Sequence, residues 1–411
     1  MSVHNKVTIE NNNFTNDRES DINYVLQYTK FFLRCIGIWP LVSSNSTKIE
    51  KAASKFVIPY CSVTMCLLIL PISLHLTMRD VGTTETILLL GPFCHSSTDI
   101  IEHFILIFHW DLIKYGVQQL ENDWRGIESQ NDREIAMRNI KVGRSMSFMC
   151  AFGMYSSGVF YVVLMPLCSG NTINEFNETV RPLIYPGNDI MIDLQNGYNY
   201  EIVFCNNCIA TFLHFTVVNA IFNLASIFVT HACGQMQIIM SRLESLVEET
   251  DVTKTQDRIS FIIRRHVSIL KFSLKIDKLL REICLIEVVA STINICMLEY
   301  YCLLEWRNGN KLAVITYGIV LVSMVFNILI YCYVGELLKE KCEEIGKAAY
   351  MIEWYKLSGK EGLALVMILI ISNNPRKLTA GQIIELSIAT FCNIVKSSFA
   401  YLGILQAVAD Q

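Results

Sequence analysis

Leu378–Asp410 reads LTAGQIIELSIATFCNIVKSSFAYLGILQAVAD, and the rest of the chain is organised around it. From Ile383 to Val408 the stretch is long enough to cross a bilayer, for which a helix needs roughly 20 residues. It is no plain apolar anchor. Ser387, Thr390, Asn393, Ser397 and Ser398 interrupt its apolar surface, and Lys396 sits near its centre. A membrane helix with a wet side faces other helices or water. The stretch is therefore expected to line an ion pore.

Composition extends this to the whole chain. Of 411 residues, 52% are hydrophobic and only 18% charged, and mean hydropathy is +0.37. Soluble domains carry about 25% charged residues, so an all-α polytopic membrane protein is expected. A net charge of −4 gives no footing for nucleic acid. The first twenty residues are polar and acidic, without the apolar core of a signal peptide, so the first spanning helix is expected to direct insertion. The fifteen cysteines lie mostly inside apolar runs, where they act as small hydrophobes. Cys168 stays open as a partner in an outer disulfide. There is no HExxH motif, nucleophile–base spacing or phosphate loop. Neither a metal, a cofactor nor an enzyme activity is expected.

Hydropathy places seven spans, at about Ala53–Leu76, Thr86–Trp110, Arg144–Leu167, Ile202–Thr230, Leu279–Leu304, Leu312–Val334 and Ile383–Val408. Four regions follow. Residues 1–52 form a tail, disordered to 21, with an interfacial helix over Ile22–Val42 that puts Trp39 at headgroup level. Residues 53–334 hold spans one to six with long polar extensions. Residues 335–382 form an anchor region, and residues 383–411 the last helix with a short outer end. Orientation comes from the basic residues. Segments sharing a side with the N-terminus hold 28 of the 34 Lys and Arg, whereas the opposite side has only Arg79, Arg181, Arg307 and Lys311. The N-terminus is expected in the cytoplasm and the C-terminus outside, the reverse of a G-protein-coupled receptor. The Asp/Glu-Arg-Tyr and Asn-Pro-x-x-Tyr motifs of such receptors are also missing.

Before span five, Ile263, Val267, Leu270 and Leu274 repeat at helical spacing. Arg264, Ser268, Lys271, Lys275 and Lys278 form the opposite face. This predicts that span five continues into the cytoplasm as a packed helix. Between spans six and seven, Leu363–Ile371 is apolar on all sides but too short to cross. Burial against a second subunit is expected there, through Leu365, Leu369 and the nearby Trp354. A re-entrant segment is the alternative.

Five motifs then carry a resemblance. Ile36-Gly37-Ile38-Trp39-Pro40, Tyr331-Cys332-Tyr333-Val334-Gly335-Glu336, Ala349-Tyr350 with Trp354-Tyr355, Leu378-Thr379-Ala380-Gly381, and Lys396-Ser397-Ser398-Phe399-Ala400-Tyr401 resemble, in this order, those of insect odorant receptors. The related gustatory receptors tend to end in Thr-Tyr, five apolar residues and Gln-Phe. Here Ala400 replaces the threonine, four residues separate Tyr401 from Gln406, and Ala407 follows, which favours the odorant branch. The resemblance implies a subunit of a tetrameric, odorant-gated cation channel in the plasma membrane of olfactory sensory neuron dendrites. It also implies a small volatile ligand, and an odorant co-receptor as partner in a heterotetramer within membrane lipid. The co-receptor itself is longer and has a glycine where Lys396 stands, so this chain resembles the tuning subunit. Aligned on Tyr401, the gate positions fall on Ile404 and Val408, with Ser397 and Gln406 along the same pore. A gustatory-receptor-like channel is the runner-up, and a transporter a weaker one, since no internal repeat is visible.

The odorant pocket is expected in the outer half of the bundle. Its candidates are Phe93 and His95 on span two, Tyr155 and Tyr161 on span three, and Phe204 and Phe212 on span four. Met297 and Tyr300 on span five and Tyr317 on span six complete the set. Small-ligand pockets are mostly apolar and aromatic with few polar groups. His95, Asp99, Glu102 and His103 share one face of span two, as a functional group, as a structural network, or because the helix ends near Glu102. Of three sequons, only Asn177-Glu178-Thr179 falls on the outer side, where glycosylation occurs.

Overall fold

The computed structural model describes residues 2–80, 82–169, 172–173, 179–181, 183, 185, 187–194, 198–246, 252–357 and 359–409. The fold is all-α. Helix α1 spans Ser2–Cys35, α2 Trp39–Val42, α3 Lys48–Met78, α4 Thr83–Phe108 and α5 Trp110–Arg125. Helix α6, Gln130–Gly158, widens into a π turn at Val159–Leu164 and resumes as α7, Met165–Ser169. A two-residue ladder, β1 (Thr172–Ile173) with β2 (Thr179–Val180), and α8 (Asn188–Met191) lead into α9, Asn199–Glu244. Then come α10 (Val252–Arg307), α11 (Lys311–Met351), α12 (Gly359–Ser372), a hairpin of β3 (Thr379–Ala380) and β4 (Ile384–Glu385), and α13 (Ile388–Ala409).

Among the described residues, six helices are long and apolar enough to cross a membrane: α3, α6 with α7, α9, α10, α11 and α13. Helix α4, with 26 residues, is long enough as well, but His95, Asp99, Glu102 and His103 lower its hydropathy. It runs through all four residues to Phe108, so the helix does not end near Glu102.

Helix α9 is the axis of the bundle. Its 46 residues extend ~69 Å at 1.5 Å each. Nearly every residue from Leu213 to Met236 is buried, because α1, α3, α4, α6, α10 and α11 all pack on it. Polar groups on this axis find one another. Thr29 donates to Asn223 at 2.6 Å, and Asn223 donates to Ser147 at 3.1 Å.

The starts of α3 and α11 carry side-chain caps, Thr47 and Asn310. Thr47 caps α3 reciprocally with Glu50: Thr47 Oγ1 accepts from the Glu50 amide at 3.2 Å, and the Glu50 carboxylate accepts from the Thr47 amide at 2.9 Å. Pro59, Pro71 and Pro92 sit inside α3 and α4, as spanning helices tolerate where neighbours re-satisfy the freed backbone.

Several expectations need correction. The tail expected to be disordered is helical from Ser2. Arg133 pairs with Asp21 at 2.6 Å and Asp17 at 3.4 Å, and Arg125 with Glu19 at 3.0 Å. These partners are more than 100 residues away and leave no local trace. Trp39 is buried against the protein, where Ile22, Val25, Leu26, Leu33 and Ile36 turn this segment inward. Span five does continue, as a single helix of 56 residues. Its packed face, however, is Ile262, His266, Ile269, Phe272 and Ile276, while Val267 and Leu274 are exposed. The predicted face is rotated by about one residue.

The last helix starts at Ile388, not Ile383. Residues 378–387 form a tight hairpin instead: Gly381 and Gln382 both have φ of +62°, and the Ile383 amide donates to the Ala380 carbonyl at 3.1 Å. Left-handed backbone at both central positions of the Ala380–Ile383 turn is geometry that glycine favours, and the register pairs Ala380 with Ile384, leaving three residues in the loop. The hairpin docks on α10, where the Gly381 amide donates to the Arg281 carbonyl at 2.8 Å. The Thr379 amide and hydroxyl both donate to Asp277 at 3.0 Å.

Candidate functional site

Between α4, α6, α9, α10 and α11 lies a cavity of about 70 Å³. The π turn matters here. Such a turn holds one more residue than an α turn, and it carries Tyr161 on the cavity wall. Tyr161 lies 6.1 Å from Tyr185 and 6.1 Å from Tyr317 between ring centroids, and Tyr301 lies 5.5 Å from Tyr317. Phe215, Met297, Leu298, Val320 and Met324 complete an apolar wall, and His95, Ser96, Ser157 and Asn294 are its polar members.

One wall is built around a glycine. The Tyr301 hydroxyl donates to the Ile87 carbonyl at 2.9 Å and accepts from the Gly91 amide at 3.2 Å. These two backbone groups are the pair that an unbroken helix joins, so the hydroxyl stands against the ladder of α4 just before Pro92. A Cβ on residue 91 would come within 2.5 Å of that oxygen.

Behind the cavity runs a buried polar network. Asp99 bridges two imidazoles: its Oδ2 lies 3.1 Å from Nδ1 of His214, and its Oδ1 lies 3.5 Å from Nδ1 of His95. Further along, the Ser291 hydroxyl donates to Glu287 at 3.1 Å. Glu102 and His103 are also almost wholly buried. The shared face of span two is thus a network reaching α9 and α10, with His95 as the member that meets the cavity.

Four of the nine predicted pocket residues line this cavity: His95, Tyr161, Met297 and Tyr317. The other five do not. Phe93 packs against a separate cluster of Leu68, Ile72, Leu89, Tyr185 and Ala210. Tyr155 and Phe212 stack on each other at 5.3 Å, Phe204 stacks on Tyr200 at 6.1 Å, and Tyr300 is buried beside Tyr301. Sequence reasoning missed Tyr185, which lies outside the spans, and Tyr301, which follows Met297 at helical spacing. It missed Ser157, Phe215 and Asn294 as well. It also passed over Cys205-Asn206-Asn207-Cys208, a C-x-x-C spacing near the start of α9 whose two thiols are free.

Helix α13 lies on the outside of the bundle. Its window of greatest hydropathy is only 11% buried, against 94% for α9. Ile394 and Ser398 are buried, with Ser398 donating to Glu299 at 3.3 Å, and Phe391, Leu402 and Leu405 pack against the core. Ile404 is 61% exposed, at the edge of an open groove of about 550 Å³ between α4, α10 and α13. Ser397 and Gln406 are half-buried. Val408 lies on the same helix, its side chain outside the described residues. Helix α12 has two sides: Leu365 and Ile368 are buried within the chain, Leu369 is half-buried, and Leu363, Val366, Met367 and Ile370 are exposed, as is Trp354. Asn177 lies outside the described residues.

Together these features define an all-helical, multi-pass membrane protein with an aromatic-lined cavity and a last spanning helix that is largely uncovered. The 7tm Odorant receptor family model matches residues 90–399, and the chain belongs to that family. Among curated relatives, Odorant receptor 82a of Drosophila melanogaster is 20% identical over 65% of this chain and 67% of its own length. Odorant receptor 13a of the same species is 18% identical over 94% of this chain and 97% of its own. Other relatives match over less, such as Odorant receptor 63a, 23% identical over 43% of each chain. The insect olfactory receptor OR5 from Machilis hrabei, solved in complex with eugenol, superposes with a TM-score of 0.78 at 12% identity, covering 95% of this chain and 100% of that one. These relatives are receptors rather than enzymes.

Proposed function

We propose that this odorant receptor is the tuning subunit of an odorant-gated cation channel. A small volatile binds in the cavity around Tyr161 and Tyr317, and α13 from each of four subunits lines the pore, with the odorant co-receptor completing a heterotetramer. The observation that carries this is α13 itself. It is long and apolar enough to span, yet one side packs on α10 and α11 while Ile404, Phe399 and Tyr401 stay exposed. A ring of such helices around an axis covers those faces, and apolar rings of Ile404 and Val408 close a pore by excluding water. Ser397, seven residues before Ile404, faces the same path, whereas Gln406, four residues after Leu402, lies on the opposite side of the helix.

The N-terminus lies in the cytoplasm and the C-terminus outside, as the basic residues direct. The receptor resides in the plasma membrane of olfactory neuron dendrites, with its outer loop glycosylated at Asn177. The exposed face of α12, with Trp354, meets a neighbouring subunit below the membrane. Ligand binding by the structurally similar OR5, solved with eugenol, supports a small volatile as the occupant. Whole-cell current from this chain with the co-receptor, measured under a panel of volatiles, tests the proposal. Ligand-evoked cation current is expected from the pair, and uptake without current would mark a transporter instead.

A further inference from the structure

We propose that the cavity selects ligands carrying a hydrogen-bond donor, such as a small alcohol or phenol, and that Nε2 of His95 accepts that hydrogen bond. This rests on the cavity being the ligand site.

The geometry around Asp99 fixes which His95 nitrogen is free. Nδ1 of His95 faces Asp99 at 3.5 Å, and Nδ1 of His214 faces the same carboxylate at 3.1 Å. A carboxylate is an acceptor, so Nδ1 of His214 carries a proton toward it, and the longer contact favours the proton of His95 on Nδ1 as well. A charged ring is costly in a dry interior, so both rings are neutral, and His214, closer and almost fully buried, makes the shorter bond to the carboxylate. His95 is therefore neutral, with its proton on Nδ1 and a lone pair on Nε2. That Nε2 is buried and, among the described residues, has no hydrogen-bond partner. His95 also forms part of the cavity wall, 5.9 Å from the Phe215 ring.

A buried acceptor without a partner is a standing cost, and a ligand hydroxyl removes it. The rest of the wall is mostly apolar and aromatic, so it recognises the ligand's carbon skeleton by shape. The His95 nitrogen adds a chemical criterion to that shape. A ketone, aldehyde or ether of the same skeleton has no proton to give and leaves Nε2 unpaired.

The test uses volatiles matched in skeleton: benzyl alcohol, benzaldehyde and toluene, with pairs of cycloalkanols and cycloalkanones. All are applied to cells expressing this chain with the co-receptor. For skeletons that activate, the alcohol is expected to give half-maximal current at roughly tenfold lower concentration than its carbonyl partner. His95→Phe keeps a ring but removes the acceptor, and should bring that ratio to about one. His95→Gln restores an acceptor and should recover part of it. Surface staining confirms that each variant reaches the membrane. An equal or reversed preference in the unmodified receptor, or a ratio that His95→Phe leaves unchanged, overturns the donor criterion while the pocket stands. Silence across the panel, or activation untouched by the cavity-filling Ser157→Phe, overturns the pocket itself and the donor criterion with it.

Discussion

Asp123→Asn is expected to destabilise the receptor by about 3 kcal/mol without altering its ligand preference. Asp123 stands on α5, outside the spans, and is 7% exposed. Its carboxylate accepts from Arg265 at 2.8 Å and from Gln119 at 3.0 Å, and lies 3.1 Å from Nε2 of His231. One side chain thus ties α5 to α9 and α10. Removing one partner from a buried charge pair costs about 3–5 kcal/mol. The lower end applies because Arg265 keeps two bonds to Gln235, at 3.0 and 2.5 Å, and asparagine still offers one accepting oxygen. With roughly 2.1 cal/mol/K of unfolding entropy per residue, 411 residues convert this into a melting shift of about 3–4 °C. Thermal unfolding of detergent-purified protein, followed by tryptophan fluorescence, measures it. Burial alone would push the Asp123 carboxyl up, but the His231 and Arg265 contacts outweigh it and hold the group below its ordinary 3.8. A depressed carboxyl contributes stability above its unfolded value and loses it as pH falls through its folded value. The gap between wild type and variant should be full at neutral pH and narrow only below about pH 4. Asp123→Leu with Arg265→Met should recover stability relative to Asp123→Leu alone, since no buried charge is left unpaired. A melting point of Asp123→Asn within 1 °C of wild type, or a double variant no better than the single, would refute the hub.

An epitope tag after Gln411 should stain on intact cells and one before Met1 should not; the opposite pattern would invert the bundle. Ile404→Ser should raise resting current or change ion selectivity in the complex. Leu402→Ser, about 160° around the helix at ~100° per residue and packed on the core, should alter permeation less. If only Leu402→Ser alters permeation, the pore face is misassigned. Met367→Asp or Ile370→Asp, on the exposed side of α12, should abolish co-purification with the co-receptor while the chain still inserts. Leu365→Asp, whose target is buried within the chain, should instead lower folded yield.

What the sequence made legible was whatever repeats locally. Apolar runs long enough to span stand out in any window, and so did the continuation of span five below the membrane. Its packed face did not, because Ile263 and Val267 satisfy one helical stripe as well as Ile262, His266 and Ile269 satisfy the next. Only the position of the neighbouring helices chooses between them. The Ala380-Gly381-Gln382-Ile383 hairpin merged into the last span because Ile383 and Ile384 add to its hydropathy, although the glycine was a turn signal. Of the residues chosen by type, His95, Tyr161, Met297 and Tyr317 line the cavity. Tyr185 was out of reach, since its place on the wall is set by a loop fold between β2 and α9 that no periodicity encodes.

The wide turn at Val159–Leu164 also bears on how such receptors diversify. A π turn is an α-helix holding one surplus residue. Deleting a single codon there would restore the ordinary winding, with the side chains beyond it keeping their faces and only those within the turn shifting by one position. Tyr161 would leave the cavity and a neighbour would take its place, with the rest of the bundle undisturbed. One insertion or deletion at this point is therefore a short evolutionary route to a new odour preference, available without redesigning any packed helix.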